Sequence, residues 1–165
     1  MESSLDLDQH IPRHVRAINF AGIELLLDLL HCARDFHGDL DLESLAIYLC
    51  VSDATMRPFM LDSELASRNM DVPQPPEAIR GSISRRAIAD KLGLPRETVR
   101  RKTSELAAAG KLFIDENEGV RVGYGLTDTR ARTAIEQGHK SILRYIDRLH
   151  QFGIHERDVV NSFSR

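Results

Sequence analysis

Apolar residues fall at helical spacing over most of this chain and alternate with polar ones over two short stretches. From about Pro12 to Phe36 the pattern predicts a helix apolar on nearly every side, with Phe20, Ile23, Leu26, Leu27 and Leu30 among its residues. Such a helix has to be covered from several directions. A chain of 165 residues has few other helices to do that. The expected cover is therefore a second subunit, and a central core helix of a single chain is the alternative. His37-Gly38-Asp39 ends the helix.

The densest pattern runs from Gly81 to Gly125. Ser84 is placed to cap a helix over Arg85–Leu92, with Ala87, Ile88 and Leu92 on one face. Gly93 stops it, because glycine takes a positive φ at little cost. Pro95 opens a second helix to about Ala109, with Val99, Leu106 and Ala107 as its core side. Residues 111–115 and 120–124 alternate as strands around Glu116-Asn117-Glu118-Gly119, and 81–83 is long enough for a third strand. Two helices around a tight turn, followed by a hairpin wing, describe a winged helix-turn-helix, whose second helix enters the DNA major groove.

The segment GLPRETVRRKTSEL resembles the recognition helix of bacterial regulators of the cyclic-AMP receptor (Crp/Fnr) type, and ISRRAIADKLG is similar to the helix before it. The likeness runs from Ile83 to about Val122. Nothing upstream resembles that family's glycine-rich β-roll, Pro95 replaces a small polar residue, and Arg100 stands where a small one is common. The resemblance therefore implies the DNA-reading geometry without the ligand. The layout, with helices on both sides, looks more like dimeric regulators of the MarR type.

Residues 40–60 repeat the helix-turn-helix pattern at a shift of 43, with Leu45 on Ile88, Leu49 on Leu92, Thr55 on Thr98 and Arg57 on Arg100. This predicts two short helices with a turn at residues 50–52. The second would start at a Ser52 or Asp53 cap and run to 69. Ser52, Asp53 and Ala54 at its reading positions disfavour phosphate, so the pair reads as scaffold. Three prolines between 73 and 76 mark a stiff linker. Beyond the wing, Thr127 or Asp128 caps a last helix to about Phe152. On it Ala131, Ile135, Gly138, Ile142, Tyr145, Leu149 and Phe152 form a seven-residue repeat, the seam of a helix pair.

Charge sharpens the division. Residues 1–80 hold 6 Lys+Arg against 14 Asp+Glu, a net of −8, and residues 81–165 hold 16 against 11, a net of +5. Within 81–102, seven basic residues face two acidic ones, so a polyanion would be drawn to the helix-turn-helix. The N-terminus, MESSLDLDQH, is an acidic tail unlike a signal peptide, no apolar run reaches transmembrane length, and the two cysteines follow no framework spacing. These features set the expectation of a cytoplasmic protein with no membrane association. His31, Cys32, His37 and Cys50 match no zinc module, and no nucleophile or phosphate-loop motif is present. No enzyme activity, metal or cofactor is expected.

The fold expected is mainly α with a small β-hairpin wing, a winged helix-turn-helix flanked by dimerisation helices. Residues 1–72 form an acidic helical region that dimerises and is the place for a small-molecule effector, if one binds. Residues 73–126 bind DNA, and 127–165 form a C-terminal dimerisation helix. Arg96, Glu97 and Arg101 are the expected base readers, since arginine fits guanine O6 and N7 and glutamate accepts from cytosine N4. Ser84, Arg85, Thr98, Arg100 and Lys102 are placed for phosphates. Arg121 is the one wing residue able to touch DNA, as Asp115, Glu116 and Glu118 at the tip should avoid the backbone. The function expected is sequence-specific, homodimeric transcriptional regulation on double-stranded DNA with a pseudo-palindromic operator. The alternative is a protein-interaction module that uses the same scaffold.

Overall fold

The computed structural model describes residues 13–155 apart from 39, 70, 71, 73, 74 and 124–128. The acidic tail, part of the proline linker, Tyr124 and the Thr127 and Asp128 caps lie outside the described residues. The chain is mainly helical with a three-stranded antiparallel sheet. The helices are α1 (Arg13–His37), α2 (Leu42–Met60), α3 (Ser63–Asn69), α4 (Arg85–Leu92), α5 (Arg96–Ala108) and α6 (Thr129–Gln151). The strands are β1 (Ile83–Ser84), β2 (Leu112–Ile114) and β3 (Gly119–Val122), in the spatial order β1-β3-β2. No described helix is long and apolar enough to cross a membrane.

The chain divides into two compact units. One holds residues 34–132. This moves the expected boundary at 72/73: residues 34–72 belong with 73–126, because α2 supplies a wall of the same core. Ile47 and Val51 of α2 pack with Ile88 of α4, Val99 of α5, Leu112 of β2 and Val120 of β3, all at most 2% exposed.

The 40–60 stretch is one helix, not two. Asp41 caps it, its carboxylate accepting from Ser44 N–H at 2.8 Å. At the shift of 43, Cys50 stands where Gly93 stands in the other copy of the pattern. A side chain at a left-handed position is costly, so the helix continues through residues 50–52. Ser52 and Thr55 turn their hydroxyls back to the carbonyls of Tyr48 and Val51. Asp53 caps nothing; it accepts from Arg57 and from Lys91 of α4. The expected helix over 53–69 breaks at Leu61, and α3 restarts behind Asp62, whose carboxylate accepts from Glu64 and Leu65 N–H.

Pro58 lies inside α2 and offers no N–H to the Ala54 carbonyl. The chain approaching β1 packs at that point: Gly81 N–H donates to the Thr55 carbonyl at 3.0 Å, and a Cβ on Gly81 would collide with the Ala54 carbonyl oxygen. On the sheet side, Val122 N–H donates to the Thr55 hydroxyl at 3.2 Å. α2 thus carries the sheet on its C-terminal half.

The second unit holds residues 1–33 and 133–165, so among the described residues it consists of most of α1 and most of α6. The two run antiparallel, since Asp28 pairs with Arg144 and Glu24 with Arg148. Phe152 meets Phe20 edge-on, with the Arg148 guanidinium over the Phe20 ring. Their seam is narrow and made of small residues. Ala21 and Ser141 are buried, and Gly138 faces Leu29. The seven-residue repeat of α6 is therefore split: Gly138, Tyr145 and Leu149 are half-buried, whereas Ile135 and Ile142 are exposed. On α1, Phe20, Ile23, Leu26 and Leu27 are also exposed, Leu26 at 59%.

Two outcomes follow from this packing. Gly81→Ala should lower unfolding free energy by about 1–3 kcal/mol, the usual cost of overpacking, read as a shift in the urea midpoint. His37, in the last turn of α1, is wedged between the rings of Phe36 and Tyr48. Burial and then the nearby Lys111 charge push its imidazole down from 6.5 to about 4. Its folded pKa lies below the unfolded one, so protonation favours unfolding. Its contribution is complete above pH 6.5 and is lost as pH falls toward 4. His37→Phe should flatten the urea midpoint across that window.

Candidate nucleic-acid interface

Three local devices aim α5 outward. Ser84 caps α4, its hydroxyl accepting from Ala87 N–H at 3.2 Å. Gly93 ends α4 at φ 65°, and Leu94 N–H closes the turn on the Ala89 carbonyl. Pro95, at φ −57°, then occupies the N-cap of α5, where its missing N–H costs nothing. Val99, Thr103 and Leu106 turn into the core. Arg96, Glu97, Arg100, Arg101, Ser104 and Glu105 form the exposed face.

The three expected base readers lie together at the N-terminal end of that face. Arg96 has no ion-pair partner among the described residues. Glu97 is gripped by Arg100, whose Nε and Nη2 donate to its two oxygens at 2.8 and 2.6 Å. That bond holds the Glu97 carboxyl below its usual range and raises the Arg100 guanidinium. Arg101 donates instead to Glu105 at 2.9 Å. Glu97 is thus paired with Arg100 and not with Arg101. All these pairs are solvent-exposed and therefore weak, so a stronger anion can displace them.

The expected phosphate set is scattered. Arg100 shares the outer face with the base readers, and Thr98 is half-buried. Arg85 is half-buried and tied inward, its Nε donating to the Thr103 hydroxyl at 3.1 Å and its Nη1 lying 3.7 Å from Glu118. Lys102 is a correction. It is 4% exposed and turns away from the outer face, its Nζ donating to Asp41 at 2.6 Å and to Ser44 Oγ at 3.3 Å. An ammonium turned inward onto Asp41 and Ser44 is not presented on the face that carries Arg96, Glu97 and Arg101. Arg86 was overlooked: it is exposed in the first turn of α4, and its ion-pair partner among the described residues is Asp90 of its own helix at 3.9 Å. Its signal was available, since helical spacing puts 86 opposite the buried Ile88.

The wing holds itself together with its own charges. Asp115 accepts from Asn117 and Gly119 N–H at 3.0 and 2.8 Å and from Arg121 Nη2 at 2.9 Å. The arginine bond, the largest influence, keeps the Asp115 carboxyl below its usual range. Arg121, expected to be the wing residue able to touch DNA, is paired with Asp115 in the free chain. Glu116, Asn117 and Glu118 remain exposed at the tip.

Among the described residues no three His, Cys, Asp or Glu side chains are grouped to hold a metal ion. No protein-family model, curated protein or solved structure matches this chain.

Proposed function

We propose that this protein is a sequence-specific DNA-binding transcriptional regulator that acts as a homodimer on a pseudo-palindromic operator. The observation that carries the reading is the exposed arginine-rich face of α5, presented by a capped helix pair. The element order α2, β1, α4, α5, β2, β3 and the strand order β1-β3-β2 support a winged helix-turn-helix with α5 as recognition helix. In this reading Arg96, Glu97 and Arg101 face base edges. Arg100 exchanges between Glu97 and the backbone, and Ser84, Arg86 and Thr98 flank the phosphates. The acidic tip keeps the wing off the DNA.

Dimerisation rests on the α1–α6 unit. Eleven large apolar side chains of that unit are exposed in the single chain. Eleven such residues on two helices are more than the scattered apolar positions of an ordinary surface, and a standard stable interface takes about 800 Å² from each partner. A second copy brings the same two faces, which a two-fold interface requires. A different stripe favours a second reading. Leu42, Leu49, Met56 and Met60 are exposed along one side of α2, in the acidic half, and would suit a protein-interaction module. Retention of DNA at moderate salt separates the two readings.

Sedimentation equilibrium at micromolar concentration should give a dimer, and Leu26→Glu should yield folded monomer; an 18.6 kDa wild-type species would refute the interface. On an operator selected from random DNA, Arg96→Ala or Arg101→Ala should cost about 1–3 kcal/mol per arginine–guanine pair and relax preference at one position in each half-site. Arg86→Ala should weaken operator and unrelated DNA alike, lowering the salt slope by about 0.9 for each phosphate that is no longer neutralised. Equal losses on both DNAs for the two arginines would mean that they hold phosphate only.

A further inference from the structure

We infer that Lys102 is a positioning residue: its buried ammonium, held by Asp41 and Glu43, fixes the rotation of α5 about its own axis and hence the aim of Arg96, Glu97 and Arg101. The inference rests on the DNA-reading proposal above. Lys102 lies on the inner side of α5. Its Nζ is 2.6 Å from Asp41 Oδ2, 3.4 Å from Glu43 Oε2 and 3.3 Å from Ser44 Oγ. All three acceptors come from the N-terminus of α2, so the contact spans about sixty residues of chain to join the reading helix to the helix that carries the sheet.

Direction is what this contact adds. Val99 and Leu106 hold α5 by apolar packing, which is non-directional and tolerates small rolls. A roll of about 10° moves an atom at the helix's side-chain radius of roughly 5–6 Å by about 1 Å, enough to spoil a two-point arginine–guanine match. The same roll draws Nζ off its carboxylates, and a buried ammonium without partners is strongly disfavoured. Asp41 divides its two oxygens between tasks: Oδ1 caps α2 on Ser44 N–H, and Oδ2 takes Lys102. The Lys102 bond and the cap bond together hold the Asp41 carboxyl down at about 2, and Asp41 in turn raises the ammonium above its usual range, so both stay charged. A second directional tie, Arg85 to Thr103, reaches the same side of α5 from α4.

The test compares full-length wild type with Lys102→Met, which keeps the buried stem and removes the charge, and with Asp41→Asn, which keeps an oxygen for the cap and removes the charge partner. Each is checked for folding by circular dichroism and a urea transition. Each is then titrated with the duplex that wild type selects from a random pool and with an unrelated duplex, at several salt concentrations. Lys102→Met should lose about five- to twentyfold in the ratio of selected to unrelated affinity, with unrelated binding and the salt slope unaltered. Asp41→Asn should shift the ratio the same way by less, because Glu43 remains. It should add nothing in the Lys102→Met background. If Lys102→Met does not fold, Asp41→Asn alone decides, and an unchanged ratio there overturns the inference. A folded Lys102→Met with an unchanged ratio overturns it too. So does a parallel loss on both duplexes with a lower slope, which would make Lys102 a phosphate ligand. Wild type with no sequence preference overturns the regulator reading and the positioning role with it, whereas a wild-type preference that survives both variants overturns the positioning role alone.

Discussion

The positive φ of Gly93 determines how the outer face of α5 is presented. At that residue the chain leaves α4, closes a turn through Leu94 N–H and enters α5 behind Pro95. Only glycine adopts this backbone cheaply. The stretch around Cys50 shows what happens without it. The apolar spacing is nearly the same, yet a side chain at the turn position keeps α2 in one piece for 19 residues. One turn residue thus decides whether a given pattern folds as a bent pair or as a straight strut. The 34–132 unit needs one of each, with the pair exposing α5 and the strut backing the sheet.

The 34–132 unit has a core of branched apolar side chains drawn from three helices and the sheet. The α1–α6 unit is different. Its seam is formed by Ala21, Gly138 and Ser141, which bring two helices close but remove little apolar area from water. Two helices alone bury one stripe each, and α1 is apolar well beyond one stripe. The ion pairs Asp28–Arg144 and Glu24–Arg148 fix which way the helices run but sit at the surface, where they add little stability. The large residues left outside are what a further layer of helices would cover.

How legible these features were in the sequence follows from how local their causes are. The caps at Ser84 and Gly93, the strands around residues 115–119 and the outer face of α5 all depend on neighbours within a few residues, and these were readable. The unity of α2 was readable in principle, since the missing glycine at Cys50 was the signal, but periodicity alone fits both outcomes. Lys102 was not. Seven basic residues in 22 suggested a uniform cationic surface, and although 102 shares the helical spacing of Val99 and Leu106, nothing near it names the partners that hold its charge there. Its partners are residues 41, 43 and 44, set by the way α2 crosses α5. The pairing of Arg121 with Asp115 was hidden for a related reason: it needs the register of the hairpin, which places Phe113 opposite Arg121 and turns Asp115 back across the tip.

The internal pairs on α5 alter what its charge means for recognition. Glu97 with Arg100 and Arg101 with Glu105 neutralise each other in the free chain, which leaves Arg96 as the cation of that face without an ion pair among the described residues. A polyanion meeting this surface gains less from bulk attraction than the residue count of 81–102 suggests, because two arginines must first release a carboxylate and Lys102 is withdrawn altogether. What remains favours geometry over charge. An exposed pair opens at small cost when a base edge or a phosphate offers better-aligned partners. Glu97, kept ionised by Arg100, is a poor neighbour for phosphate and a suitable acceptor for an amino group. On the proposed regulator reading, such a helix discriminates through the few contacts that justify breaking its own pairs.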